Sequence, residues 1–229
     1  MGIHDGHREK MRRRFRETGL EGFADHEALE LLLYYAIPRR DTNELAHRLM
    51  DDFGSLAGVL DASAQELQQV EGVGENTAAF LKLLPELTRV YYSQKQQDLC
   101  LASTEQAGRF LLPRFIGRQE ETVLLTCLDG KCRVLSCTVL HKGSLNSSEV
   151  NVRKLLTAAL KHNAAAVILA HNHPGGVALP SPEDIQTTRR VAMALQAVEI
   201  VLVDHIIVAD DDYVSIAQSD ERFNQCLLL

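Results

Sequence analysis

The chain has 229 residues, 45% of them apolar and 24% charged, with a formal net charge of −7. That size and balance describe a globular protein of one large or two ordinary domains, able to bury a real core. The acidic total argues against a protein that lives mainly on phosphate electrostatics, although a local basic patch stays compatible with nucleic acid. No apolar run approaches the roughly 18 residues needed to cross a bilayer, and the N-terminus is polar and basic where a signal peptide is apolar. Neither a membrane protein nor a Sec-exported one is expected. Five cysteines, an odd number with no Cys-x-x-Cys pair, describe neither a disulfide framework nor a thiolate zinc site, so a reducing cytoplasm is the expected compartment.

The first hundred residues read as helices, because apolar positions recur at helical spacing and β-branched residues are sparse. The run Arg8-Glu9-Lys10-Met11-Arg12-Arg13-Arg14-Phe15-Arg16 reads as an amphipathic helix with Met11 and Phe15 inward. A helix is expected from Asp25, a plausible N-cap, to Tyr35, stopped by Pro38. Another should run from about Thr42 to Asp52, broken by Gly54, with short helices at 55–60 and 63–69. Gly72-Val73-Gly74 then forms a turn before a helix that continues towards Tyr92, a pattern resembling a helix-hairpin-helix. The polar stretch from Ser93 to Ser103 is the linker, which divides the chain into residues 1–97 and 98–229.

Beyond the linker, strand signals appear. Thr122 to Leu128 and Cys132 to Leu140 flank Asp129-Gly130, the pattern of a two-residue hairpin. A helix is expected from about Ser148 to His162, with Val150, Val152, Leu155, Leu156, Ala159 and Leu160 buried. The nearly all-apolar run Ala164 to Ala170 suits a central strand. A helix at 182–198, a strand at 200–208, a turn at Asp210-Asp211-Asp212 and a short strand from Tyr213 to Ile216 complete the chain. Such alternation predicts an α/β domain, a mixed sheet flanked by helices.

The segment His171-Asn172-His173-Pro174-Gly175-Gly176-Val177-Ala178-Leu179-Pro180-Ser181-Pro182-Glu183-Asp184 stands where the central strand ends. Side chains alternate in an extended chain, so His171 and His173 face the same way and can share one metal, at about 2.0–2.1 Å each. The Pro and Gly residues turn the chain, and Asp184 can return from the next helix as a third ligand. Two His and one carboxylate leave zinc a fourth position for water, the open coordination of a catalytic site. Each piece also has a plain structural explanation. Ser181-Pro182-Glu183-Asp184 is a good helix start, with Ser181 as N-cap and Pro182 at the first helical position. The two roles are compatible, since a capped helix can hold Asp184 while Ser181 donates to a developing oxyanion.

His171-x-His173, seven residues, then Ser181-x-x-Asp184 is similar to the JAMM motif of MPN-domain metalloproteases. Residues 100–220 resemble the bacterial RadC family, including Gly143-Ser144-Leu145-Asn146, Asp204-His205 and Tyr213-Val214-Ser215. Asn172 between the histidines is the residue expected in that branch. The resemblance implies an N-terminal all-α region, a C-terminal MPN (JAMM) domain, Zn2+ held by His171, His173 and Asp184, and Ser181 assisting the tetrahedral intermediate. It also implies a general base at the start of an early strand. Glu121 matches that position, with Glu120 as its neighbour and Glu149 as a rival carboxylate. His205 reads as either a packed residue or a group near the site; a direct Asp204–His205 dyad is disfavoured because adjacent strand residues face opposite ways.

The implied activity is zinc-dependent hydrolysis of a peptide or other amide bond. The alternative is a DNA-associated protein whose metal site is structural or inactive. For that alternative the Gly72–Thr77 turn offers backbone N–H groups and the 8–16 run offers cations. Against it, Glu71, Glu75, Asn76 and Thr77 surround the turn where Lys or Arg is usual, and residues 1–100 hold 12 Lys/Arg against 17 Asp/Glu.

Overall fold

The computed structural model describes residues 3–38, 40–95, 99–143 and 151–219. Glu149, Ser144-Leu145-Asn146 and the start of the helix expected from Ser148 lie outside the described residues. The chain forms two compact units, Met1–Leu87 and Thr88–Leu229.

The first unit is helical: α1 (Ile3–Thr18), α2 (Asp25–Ala36), α3 (Asn43–Phe53), α4 (Leu56–Asp61), α5 (Ala64–Gln69) and the start of α6 (Glu75–Lys95). Leu29, Leu33, Leu49, Leu67 and Leu81 form its fully buried core. Local signals act as read. Gly54 ends α3 with φ +76°, and Ser63 caps α5 reciprocally with Glu66. The N-cap of α2 is Ala24 rather than Asp25; no side chain caps the helix there, and the Glu27 carboxylate reaches back to accept the Ala24 N–H at 2.9 Å. The basic helix α1 turns Arg8 inward beside Met11, whereas Phe15 is 41% exposed. Arg8 donates to the carbonyls of Ile37 (2.7 Å), Pro38 (2.5 Å) and Arg40. Those oxygens lie past the end of α2, where no helical N–H can reach them, and a guanidinium can serve several at once.

The second unit holds α7 (Thr104–Phe115), β1 (Thr122–Leu128), β2 (Val134–Lys142), α8 (Val152–Lys161), β3 (Ala166–Asn172), α9 (Pro182–Gln196), β4 (Val201–Ala209), β5 (Asp212–Ser215) and α10 (Ile216–Ser219). The sheet is mixed, in the order β2-β1-β3-β4-β5, with β3 parallel to β4 and the other neighbours antiparallel. All seven residues of β1 are buried because both sheet faces are covered. Val123, Leu125, Val167 and Leu169 pack against α8 and α9. Leu124, Ile168 and Ala170 face the α7 residues Phe110 and Phe115.

Three local expectations change. Asp129-Gly130 is not a two-residue hairpin: Asp129 Oδ1 accepts from the N–H groups of Lys131 (2.8 Å) and Arg133 (2.9 Å), which draws residues 129–133 into a longer turn. Leu160 lies at the edge of the α8 stripe and is 55% exposed. The third is α7, which has no counterpart in the sequence reading because Gly108 and Pro113 interrupt its helical pattern. Gly108 has a packing reason. A Cβ there would lie 2.5 Å from Cε1 and Cε2 of Tyr213. Gly108→Ala is therefore expected to destabilise this unit by about 1–3 kcal/mol, as read by denaturant unfolding, because the ring must shift out of a packed interface.

Asp204 explains the Asp-His pair. It is 3% exposed and accepts from the His205 N–H (2.7 Å), Ser215 hydroxyl (2.9 Å), Ala217 N–H (3.2 Å) and Thr104 hydroxyl (3.4 Å). One carboxylate thus ties β4, β5, α10 and the start of α7 together. Asp204→Ala should cost roughly 3 kcal/mol by leaving buried donors unmet, whereas Asp204→Asn, which keeps the Oδ1 acceptor, should cost much less. Equal unfolding midpoints for the two variants would contradict this role. None of the described helices is long and apolar enough to cross a membrane.

Candidate metal centre

His171 is fully buried at the end of β3. Its side chain continues the Val167–Leu169 face of the sheet, the face that α9 covers. His173 follows two residues later on the same side, and its side chain keeps 24% of its surface exposed. The Nε2 atoms of the two rings stand 2.9 Å apart. Past them, a turn through Gly175 (φ +64°) leads to Ser181 at the N-cap of α9, with Pro182 next. Asp184, one turn into α9, places Oδ1 3.1 Å from His171 Nε2 and Oδ2 3.5 Å from His173 Nε2. The strand and the helix start thus bring three residues distant in the loop onto one point.

Glu121 reaches the same place by strand pairing. β1 and β3 are antiparallel with Val123 opposite His171. Continuing that register by two residues sets Glu121 across from His173. Carboxylate and ring-nitrogen atoms of Glu121, His171 and His173 all lie within 4.8 Å of one another. Asn172 faces the other way and holds this edge: its Oδ1 accepts from the Thr122 N–H at 2.8 Å, and its Nδ2 donates to the Glu120 carbonyl at 3.3 Å. It clamps the backbone on both sides of Glu121. The Glu120 side chain is exposed, while Glu149 is outside the described residues.

The donor set suits a borderline cation such as zinc, which takes imidazole nitrogen and carboxylate oxygen. His173 Nδ1 lies 3.2 Å from the Val177 carbonyl, which can only accept, so that nitrogen carries the proton and Nε2 keeps its lone pair. Its lone pair therefore points at His171 Nε2 and the Asp184 carboxylate, so a cation placed there would meet two nitrogens and an oxygen converging on one point. The 2.9–3.5 Å spacings bracket the edge of about 3.3 Å expected for a tetrahedron with bonds of about 2.0–2.1 Å.

Comparison with known families covers both regions of the chain. A family model described as the RadC-like JAB domain matches residues 101–222. The chain belongs to the RadC family. A second model, the UPF0758 N-terminal domain, matches residues 5–79, within the helical first unit. The RadC-like JAB domain contains the mixed sheet, α9 and the whole candidate metal centre.

Electrostatics in this RadC site separate the acid from its neighbours. Burial pushes the Asp184 carboxyl up, but hydrogen bonding and charge from His171, with the Ser181 hydroxyl and N–H, outweigh it and hold the group well below the usual carboxylate range. Ser181 donates its hydroxyl to Asp184 Oδ2 at 2.7 Å and accepts the Asp184 N–H at 3.1 Å. Its single proton is thus directed at the carboxylate, and reaching an oxyanion requires the hydroxyl to rotate. His205 is 2% exposed and touches the site: its Nε2 lies 2.8 Å from His171 Nδ1, and its Nδ1 lies 2.5 Å from the Thr188 hydroxyl. Burial and the neighbouring His171 push its basicity well below the usual histidine range. Thr188 went unnoticed in the sequence, where it is one polar residue on a helix; its spacing of four from Asp184 was the available signal.

Proposed function

We propose that the protein is a zinc-dependent hydrolase of amide bonds, in a peptide, an isopeptide or a smaller conjugate. The observation that carries this reading is the convergence of His171, His173 and Asp184 with the carboxylate of Glu121 beside them. His171, His173 and Asp184 would hold the metal. When bound, zinc supplies a Lewis acid that brings the pKa of a water down towards about 7 and polarises a carbonyl. Glu121, at the partly exposed edge of the site, takes the proton from the attacking water and passes it to the departing amine. Ser181, once its hydroxyl turns from Asp184, donates to the developing oxyanion. The partly exposed His173 edge and the exposed Val177 and Leu179 give an extended substrate an approach along the 174–180 turn.

Purified protein should contain about one zinc per chain and cleave members of a peptide and isopeptide library, with activity lost on chelation and restored by zinc. Metal-free protein that takes up no zinc at micromolar concentration would overturn the reading. Weak DNA binding through 72–77 and 8–16 has less behind it. In the basic run Arg8 is occupied with carbonyls, Arg14 pairs with Glu27 at 3.1 Å and Arg16 with Glu9 at 2.7 Å.

A further inference from the structure

The protonation of a metal-ligating imidazole is decided by what its second nitrogen meets, and for His171 that partner is neither a carboxylate nor a backbone carbonyl. It is another imidazole, His205, which in turn meets a hydroxyl. A count of protons settles the direction of the chain. The Thr188 hydroxyl lies 2.6 Å from the Asp184 main-chain oxygen and 2.5 Å from His205 Nδ1. It owns one proton, and the carbonyl can only accept, so the hydroxyl donates to Asp184 and accepts from His205 Nδ1–H. An imidazolium at His205 would be a buried cation with no carboxylate hydrogen-bonded to its ring among the described residues, since Asp204 is turned to Ser215, Ala217 and Thr104. His205 therefore carries one ring proton, on Nδ1, and its Nε2 accepts. The donor to it at 2.8 Å is His171 Nδ1–H, which leaves His171 Nε2 as the nitrogen that faces Asp184 and His173 and gives up its proton when a metal binds.

We propose that Thr188 and His205 are positioning residues that lock the Nδ1–H form of His171 and so create its metal-binding lone pair. The chain starts at the backbone of Asp184, so one turn of α9 orients two ligands at once: it presents the carboxylate directly and sets the imidazole through Thr188 and His205. Without the Thr188 hydroxyl, His205 Nδ1–H has no acceptor. The cheaper arrangement then moves the His205 proton to Nε2, forces His171 Nδ1 to accept, and puts a proton on His171 Nε2 where it competes with the metal. This inference rests on the reading of His171, His173 and Asp184 as zinc ligands.

The experiment measures zinc affinity by competition with a chromophoric chelator, together with long-range 1H–15N spectra of the histidine rings in metal-free and zinc-loaded protein. Thr188→Val, close in shape but without the hydroxyl, should bind zinc roughly 10–100-fold more weakly than the unaltered protein, and Thr188→Ser should restore the affinity. The spectra of the unaltered protein should show a proton on His171 Nδ1 in both states and none on Nε2 once zinc is bound, a result that needs no variant to fold. Equal zinc affinity in Thr188→Val, or a His171 Nδ1 that carries no proton, would overturn the proposal while leaving the zinc site standing. Absence of zinc binding by the unaltered protein would overturn both.

Discussion

Replacing Glu121 with Gln is expected to lower amide hydrolysis by roughly 10²–10⁴-fold while zinc stays bound. The amide matches the carboxylate in shape but cannot accept a proton from water, so the change removes the chemistry and keeps the packing. The position is dictated by pairing: Val123 opposes His171, and Asn172 clamps Thr122 and Glu120 on either side. Metal content measured beside kcat separates a lost base from a lost ligand. Glu120→Gln, altering an exposed side chain, should leave kcat within about twofold. If Glu121→Gln keeps full activity, Glu121 is not the base.

The two histidines should respond differently to removal. His173→Ala is expected to abolish zinc binding, bringing metal content from about one per chain to nearly none, with little effect on the metal-free fold. Its side chain is partly exposed and its Nδ1 partner is a single turn carbonyl. His171→Ala should lose zinc as well, and also destabilise the metal-free protein by about 2–4 kcal/mol. That change opens a cavity at a fully buried position and leaves His205 Nε2 without its donor. Denaturant unfolding with chelator present reads the difference. With zinc at a thousand times Kd the unaltered protein should gain about 4 kcal/mol, and neither variant should show that gain. Equal metal-free stability of the two variants would contradict the placement of His171.

These expectations draw unequally on sequence and fold. The helices of the first unit, the central strand and the capped start of α9 follow from local rules, because Ser63, Gly54, Ser181 and Pro182 act on their own backbone neighbours. His171 and His173 share a face because a strand alternates, and that needs no tertiary information. Helix α7 escaped because Gly108 answers to a Tyr213 ring more than a hundred residues away. Arg8 escaped too: a charged residue in a basic run reads as solvated until the carbonyls past α2 are seen beside it.

The shared face of the two histidines, the turn that returns Asp184 and the helix cap that carries it are legible along the chain, since all of these lie within one strand–turn–helix segment. The resemblance names Glu121, but its place beside His171 and His173 comes from strand pairing, and the contacts of His205 and Thr188 with the site come from the packing of β4 and α9. The difference is one of range. Capping and alternation are settled over a few residues, whereas strand register and buried proton chains join residues tens of positions apart, and nothing in either residue alone announces the partner it will meet.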